Sequence, residues 1–152
     1  MHDLTPAWTL QVDPLTTAIG YVHVQIERPV TPSVSIYAGP HLRLFDGILA
    51  DGNGPYLGVG GELGARWYPS HHAPTGFWLM GRGVLARLWT TDGTHQHAIG
   101  GYGSALAGYT GLVDGWFVLS GGLGVQRIQY EVGGYGVESW FPAAHTAVGV
   151  AL

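Results

Sequence analysis

The chain has 152 residues, which is enough for one domain with a packed core or a single closed sheet. Only 11% of the residues are charged and 46% are hydrophobic, so a disordered tail is excluded. All basic residues are arginines and the formal net charge is -4, so the chain cannot form the basic face of a nucleic-acid binder. Without cysteine, disulfides and thiolate metal sites are excluded. The 26 glycines are scattered through apolar segments, which indicates strands with bends.

Apolar and polar residues alternate along most of the chain, which predicts β-strands. Leu10 and Val12 alternate with polar residues near the start, and 14–18 then breaks the pattern. A bulge is expected at 81–83, because Arg82 and Arg87 fall on opposite parities of one strand. The eight predicted strands lie at about 8–13, 20–27, 34–44, 57–67, 77–90, 96–112, 117–126 and 144–152.

An even number of strands returns the C-terminus to the side of the N-terminus. Proline-rich or Asp-Gly turns at 29–33, 69–75 and 113–115 are predicted on that side. The opposite side is predicted to carry the connections 14–18, 46–55, 91–95 and 131–139.

The two faces of the strands differ in a way that indicates which face is inside. One face carries glycine, alanine, serine and a few charged groups, which suits the crowded interior of a small barrel. The other carries large apolar groups, which only lipid favours on an outer surface. The sequence therefore predicts an all-β fold, an eight-stranded antiparallel up-and-down transmembrane β-barrel. Its predicted interior polar network consists of Glu27, His41, Arg43, Glu62, Arg66 and Arg82.

Aromatic residues cluster near the predicted strand ends, as in the aromatic girdles at the two surfaces of a membrane. The hairpin around the polar turn 69–75 has such residues on both flanks. The predicted membrane-interface aromatics are Trp8, Trp67, Tyr68, Phe77, Trp78, Trp89, Trp116 and Trp140.

Four short motifs resemble an uncharacterised family of small bacterial outer-membrane β-barrel proteins, the DUF3575 type, which is distantly similar to the OmpA and OmpW barrels. The motifs are 13–15 (DPL), 26–28 (IER), 64–68 (GARWY) and 74–77 (PTGF). The resemblance covers roughly the first 85 residues. It implies a monomeric barrel in the bacterial outer membrane that is inserted by the assembly machinery, with lipid as its surroundings and periplasmic termini. The sequence shows no secretory signal, so we expect that an exported form has lost one.

Chemical sites are weakly marked in the sequence. His71 and His72 are adjacent in a turn, and His95 and His97 are two residues apart, but no third metal ligand is indicated. No serine and histidine are paired as in outer-membrane lipid-modifying enzymes, so we expect no catalysis, no cofactor and no metal. A narrow channel for ions or small solutes is the alternative function, followed by a lipid-modifying enzyme and a soluble ligand-binding barrel.

Overall fold

The computed structural model describes residues 6–18, 20–43, 56–91, 96–132 and 135–152. These residues form strands and one short helix. In chain order the elements are β1 (Thr9–Val12), α1 (Pro14–Ala18), β2 (Tyr21–Thr31), β3 (Val34–Arg43), β4 (Tyr56–Trp67), β5 (Gly76–Thr90), β6 (His97–Val113), β7 (Phe117–Val132) and β8 (Tyr135–Ala151).

Each strand pairs antiparallel with the next strand of the chain, and β1 pairs with β8 to close the sheet. The prediction of an eight-stranded antiparallel up-and-down barrel is confirmed. We call the end that holds the start of β1 and the end of β8 the turn end, and the opposite end the loop end. The connections predicted at 29–33, 69–75 and 113–115 lie at the turn end. The connection predicted at 46–55 lies outside the described residues, as do residues 92–95 of the connection predicted at 91–95.

The turn between β6 and β7 follows directly from its sequence. Asp114 and Gly115 both have positive φ angles, of 52° and 76°. Two successive residues with positive φ match the right-handed twist of a hairpin, and Asp-Gly is a preferred pair for this conformation. The N–H of Trp116 closes the turn by donating to the carbonyl of Val113 at 3.2 Å.

Two local predictions are wrong. The ladders of β5 with β4 and β6 continue without a shift through 81–83, so no bulge exists there. Arg82 points into the barrel and Arg87 points outward, as plain alternation requires. Moreover, β8 begins at Tyr135, well before the predicted 144, because Glu138 and Trp140 on its outer face pair across the ladder with polar residues of β7. Both strands therefore extend into the connection predicted at 131–139, β7 to Val132 and β8 from Tyr135.

β1 is the shortest strand because α1 begins immediately after it. Oδ1 of Asp13 accepts hydrogen bonds from the backbone N–H groups of Leu15 at 3.0 Å and Thr16 at 3.1 Å. Pro14 occupies the first helical position, where its missing N–H has no cost. This N-cap turns the chain out of the sheet after Val12.

The outer face of the barrel is apolar and its inner face is polar and aromatic. Buried polar groups line the inside of all strands from β1 to β8, and the inner face also carries large rings such as Trp78 and Tyr37. In the described part of the chain, no helix is long and apolar enough to cross a membrane. The exposed large apolar side chains on the strands include Leu10, Val12, Ile26, Ile36, Val59, Leu63, Leu79, Leu85, Ile99, Leu119, Leu123, Val125 and Val148.

Glycines on the inner face make room for the large rings. The Trp78 ring lies against Gly108 and Gly122, and a Cβ on Gly122 would overlap the ring and the carbonyl oxygen of Ala107. Gly121 points outward, and the nearest atom to a Cβ there would be 3.9 Å away. The interior is therefore closely packed at this level although glycine and alanine are abundant on its strands.

We expect Gly122→Ala to lower the free energy of unfolding by about 1–3 kcal/mol, the usual cost of overpacking a filled interior. Gly121→Ala is the matched control, because it adds the same methyl group to the neighbouring residue on the outer face. Urea unfolding of both variants measures the difference. Equal stabilities would contradict the packing of Trp78 against this strand.

Candidate functional site

All six residues predicted for the interior polar network are buried inside the barrel. Glu27 and Arg66 lie nearer the turn end, whereas His41 and Arg43 lie nearer the loop end. Their exposed fractions are between 0% and 6%. The residues are Glu27, His41, Arg43, Glu62, Arg66 and Arg82.

Glu27 is the centre of a group that we call the Glu27 cluster (Gln11, Glu27, Ser35, Arg66 and Tyr68). Its Oε1 accepts hydrogen bonds from the hydroxyls of Ser35 and, at 3.0 Å, Tyr68. Its Oε2 accepts from Gln11 Nε2 at 2.8 Å and from Arg66 Nη1 at 2.5 Å. Burial raises the pKa of Tyr68, which keeps its hydroxyl protonated as a donor. Four donors satisfy the carboxylate, and they come from β1, β3, β4 and the turn after β4.

Arg66 uses its remaining donors and also lies close to two aromatic rings. Nη2 donates to Nε2 of His145 at 2.8 Å, and Nε lies 3.4 Å from the sulfur of Met80. The rings of Tyr37 and Trp78 lie 5.3 Å and 5.1 Å from the guanidinium carbon. Such cation–π contacts suit a weakly hydrated, planar cation in a buried position.

His145 extends this group to the wall of the barrel. Arginine can only donate hydrogen bonds, so Nε2 of His145 accepts the one from Arg66. The ring proton of His145 therefore lies on Nδ1. Nδ1 is 3.6 Å from Oδ2 of Asp13. Asp13 also accepts a hydrogen bond from the Thr146 hydroxyl at 2.7 Å. The charged interior is thus connected to α1 through a buried carboxylate.

A second group, which we call the His23 chain (Glu62, His23, His41 and Tyr130), lies nearer the loop end. Oε2 of Glu62 is 2.8 Å from Nδ1 of His23, whose Nε2 is 2.8 Å from Nδ1 of His41. Nε2 of His41 is 3.0 Å from the Tyr130 hydroxyl. One direction of donation satisfies all these contacts, with Tyr130 donating to His41, His41 to His23 and His23 to Glu62. Glu62 is therefore paired with a histidine and not with Arg66.

The other two interior arginines have aromatic neighbours. Arg43 lies 5.1 Å from the ring of Tyr21. Arg82 lies 5.3 Å from the ring of Tyr102, and its Nε donates to Ser104 Oγ at 3.3 Å. Within the described residues, Nη1 of Arg82 has no hydrogen-bond partner, and Arg82 belongs to no ion pair.

A cavity of about 310 Å³ lies beside Arg82, and we call it the Arg82 cavity. Inward-facing side chains of β2, β5, β6 and β7 form its polar part, and residues of α1 and β8 complete it. Its polar and aromatic lining comprises Tyr21, His23, Arg82, Tyr102, Gln126 and Tyr130.

The predicted interface aromatics divide between the two faces. Trp89 is partly buried on the outer face of β5. The residues exposed on the outside are Trp8, Trp67, Phe77, Trp116 and Trp140. Assignment of Tyr68 and Trp78 to the interface is wrong, because both are fully buried inside the barrel. Neighbouring residues of a strand point to opposite faces, so only one member of Trp67–Tyr68 and of Phe77–Trp78 can point outward.

Several interior residues were not predicted as members of the network. Tyr68, His23 and His145 contact the predicted charged side chains directly. Parity could have identified the histidines, because His23 shares the face of Glu27, and His145 shares the face of the small residues of β8. Tyr68 likewise follows the parity of Arg66 beyond the end of β4.

The structure brings one serine and one histidine together at the turn end. Oγ of Ser33 is 2.6 Å from Nδ1 of His71, and both residues are exposed. Among the described residues, no carboxylate is hydrogen-bonded to the other nitrogen of His71, and no group of three or more potential ligands could hold a metal ion. His95 lies outside the described residues. In the described part of the chain, the pair therefore has no orienting third group of the kind that a catalytic triad contains.

No family model, no curated protein and no solved structure matches this chain. The resemblance to small outer-membrane barrels stays a prediction, and arguments about function depend on the two faces of the barrel.

Proposed function

We propose that the chain is an integral outer-membrane β-barrel protein whose interior is largely filled by its own side chains, and that it serves as a membrane-spanning body without catalytic activity. The observation that carries this proposal is the outer face of the closed barrel, which presents large apolar side chains in the middle of its strands, while two glutamates and three arginines are buried inside: Glu27, Glu62, Arg43, Arg66 and Arg82. Lipid is the surrounding that makes such a surface favourable.

Water would be an unfavourable surrounding for this surface. Leu63, Leu85 and Leu123 are 70%, 70% and 72% exposed, although each lies in the middle part of its strand. Monomeric soluble proteins rarely expose apolar patches larger than a few hundred Å². A soluble ligand-binding barrel would bury these side chains and expose Glu27 and Arg66.

The length of the apolar belt supports a membrane span. On the outer face of β7, apolar residues and glycine occupy 117–125, a span of nine residues, and Arg127 follows. Tilted membrane strands need about 9–11 residues. Arg127 lies 3.5 Å from Glu138 and 5.9 Å from the Trp140 ring, which is the composition expected at a membrane surface. The loop end then extends beyond the hydrocarbon, and the turn end with the short turns faces the periplasm.

The Glu27 cluster and the aromatic rings beside it support a closed interior. Hydrogen bonds connect these side chains across the interior, from Gln11 to Glu27, from Glu27 to Arg66 and from Arg66 to His145. An eight-stranded barrel has an interior just wide enough for side chains to fill. A persistent open state in planar bilayers would contradict this closure and favour the alternative of a narrow channel.

Refolding from urea tests the proposal. We expect β-sheet circular dichroism and heat-dependent migration on SDS gels after dilution into detergent micelles, and aggregation after dilution into plain buffer. Detergent is needed because the outer belt has no other favourable surrounding. A monomer that folds in buffer alone would overturn the membrane assignment.

A further inference from the structure

The wall of the barrel is interrupted beside α1. The ladder between β1 and β8 ends at the pair Val12–Val148. Asp13 accepts hydrogen bonds from the N–H and hydroxyl of Thr146 just beyond this pair, at 3.4 Å and 2.7 Å. In the described part of β8, residues 137–145 pair with β7 alone. α1, which contacts both β2 and β8, lies where a strand would continue the sheet.

Pro142 lies at this unpaired edge. The N–H groups of Thr146 and Leu152 both point toward the β1 side, to Asp13 and to the Trp8 carbonyl. Because N–H groups alternate between the two sides of a strand, position 142 also faces the β1 side. A proline there has no N–H, so it removes one unpaired donor from the edge. This feature suits an edge that stays unpaired.

The Arg82 cavity reaches the same edge. Its lining includes Leu15 of α1 and, from β8, Val137, Pro142 and Ala144. At one end of the cavity His23 and Arg82 are buried, and at the other end Leu15 and Pro142 are exposed. The cavity therefore extends from the interior to the opening between α1 and β8.

Arg82 gives the inner part of the cavity a positive charge that its neighbours do not neutralise by direct contact. Arg82 is 6% exposed, and within the described residues the groups that contact its guanidinium are the neutral Ser104 and Tyr102. A buried charge without a partner is costly, so an anion that accepts from Nη1 is stabilised there. The outer part of the cavity is apolar, with Leu15, Val137 and Pro142.

We propose that the Arg82 cavity binds a single-chain amphiphile with an anionic carboxylate head, with the head at Arg82 and the chain leaving the barrel between α1 and β8. A volume of about 310 Å³ lies at the lower end of the range of ligand pockets, which suits one chain and not a two-chain lipid. The inference depends on the proposed function, because the end of the chain lies in the surrounding membrane.

The test uses the folded barrel in phosphatidylcholine nanodiscs and dodecanoate labelled with ¹³C at its carboxyl carbon. We expect a saturable shift of the carboxyl NMR signal at a ratio of one to one, absent with empty nanodiscs. Acetate should compete weakly because it lacks the chain, and dodecyltrimethylammonium should not compete because its head is cationic. Arg82→Gln should weaken binding about 10-fold to 100-fold, as expected for the loss of a hydrogen bond to a charged group.

Two further variants distinguish the contribution of the carboxylate head to binding from that of the alkyl chain. Arg87→Gln removes an outward arginine of the same strand and should leave binding unchanged. Ala144→Phe narrows the opening at the edge of β8 and should weaken the binding of dodecanoate more than that of acetate. The Ala144 variant also decides the question if Arg82→Gln does not fold.

Three outcomes would overturn the inference. They are wild-type affinity in Arg82→Gln, acetate binding as tight as that of dodecanoate, and equal competition by the cationic amphiphile. Heat-dependent migration on SDS gels establishes folding before each titration. A barrel that folds but does not bind dodecanoate contradicts this inference alone, whereas failure to fold in lipid contradicts the proposed function.

Discussion

Glu27→Gln is expected to lower the free energy of unfolding by about 3–5 kcal/mol, the usual cost of removing one partner from a buried ion pair. The substitution leaves the Arg66 guanidinium buried beside two aromatic rings without its carboxylate. It also places an amide NH₂ group, a donor, where the carboxylate oxygens accept from four donors. At least two of these donors then lose their acceptor, which adds to the cost.

The measurement is urea unfolding of the barrel in detergent micelles, with Glu138→Gln as the matched control. Glu138 makes its 3.5 Å ion pair with Arg127 on the outer face, and both side chains are about half exposed. An exposed pair contributes about 0–1 kcal/mol, so the control should change little. Glu27→Gln combined with Arg66→Met should recover part of the loss, because the unpaired charge is removed. A cost for Glu27→Gln as small as that of the control would show that the cluster does not stabilise the fold.

The faces of the strands could be predicted from the sequence because a strand has a period of exactly two residues. Once Leu63 and Trp67 are assigned to the outside, Glu62 and Arg66 must lie inside. The same rule places Tyr68 inside when its neighbour Trp67 lies outside, and Trp78 inside when Phe77 lies outside, so the prediction of all four as interface aromatics is inconsistent with the period of a strand.

The partners inside the barrel could not be predicted, because they depend on the register of several ladders together. Arg66 and Glu27 are 39 residues apart, and two ladders with β3 bring them into contact. Similarly, His145 reaches Arg66 only because the barrel closes through β1 and β8. Composition and parity contain no information on these distances.

The interruption of the wall also depends on whether the chain after Val12 continues β1 or forms α1, and the parity of side chains on a strand does not describe this choice. The sequence predicts a break at 14–18, but the consequence of this break for β8 depends on how far β8 extends. The long β8 was missed because Glu138 and Trp140 interrupt the apolar pattern of its outer face. The Arg82 cavity arises from both features together, so neither segment alone predicts it.

Leu123→Arg is expected to lower the free energy of unfolding in lipid by about 2–4 kcal/mol, because it places a charge on the lipid-facing side of a strand near the middle of the apolar belt. Leu123 is 72% exposed, so the arginine meets no protein atoms that could clash with it. In a water-soluble barrel the same change would be neutral or would improve solubility. The sign of the effect therefore reports on the surroundings of the outer face and not on packing.

Glu131→Arg is the matched control, since position 131 lies on the same face of β7 but beyond Arg127, near the loop end. There the cost should fall to about 0–1 kcal/mol, as it does near membrane interfaces. Unfolding of both variants in phosphatidylcholine vesicles, followed by tryptophan fluorescence, measures the difference. Small and equal losses of stability at the two positions would place Leu123 in water and would contradict the membrane assignment. A large loss at position 123 and a small loss at position 131 would locate the boundary of the hydrocarbon between Val125 and Glu131.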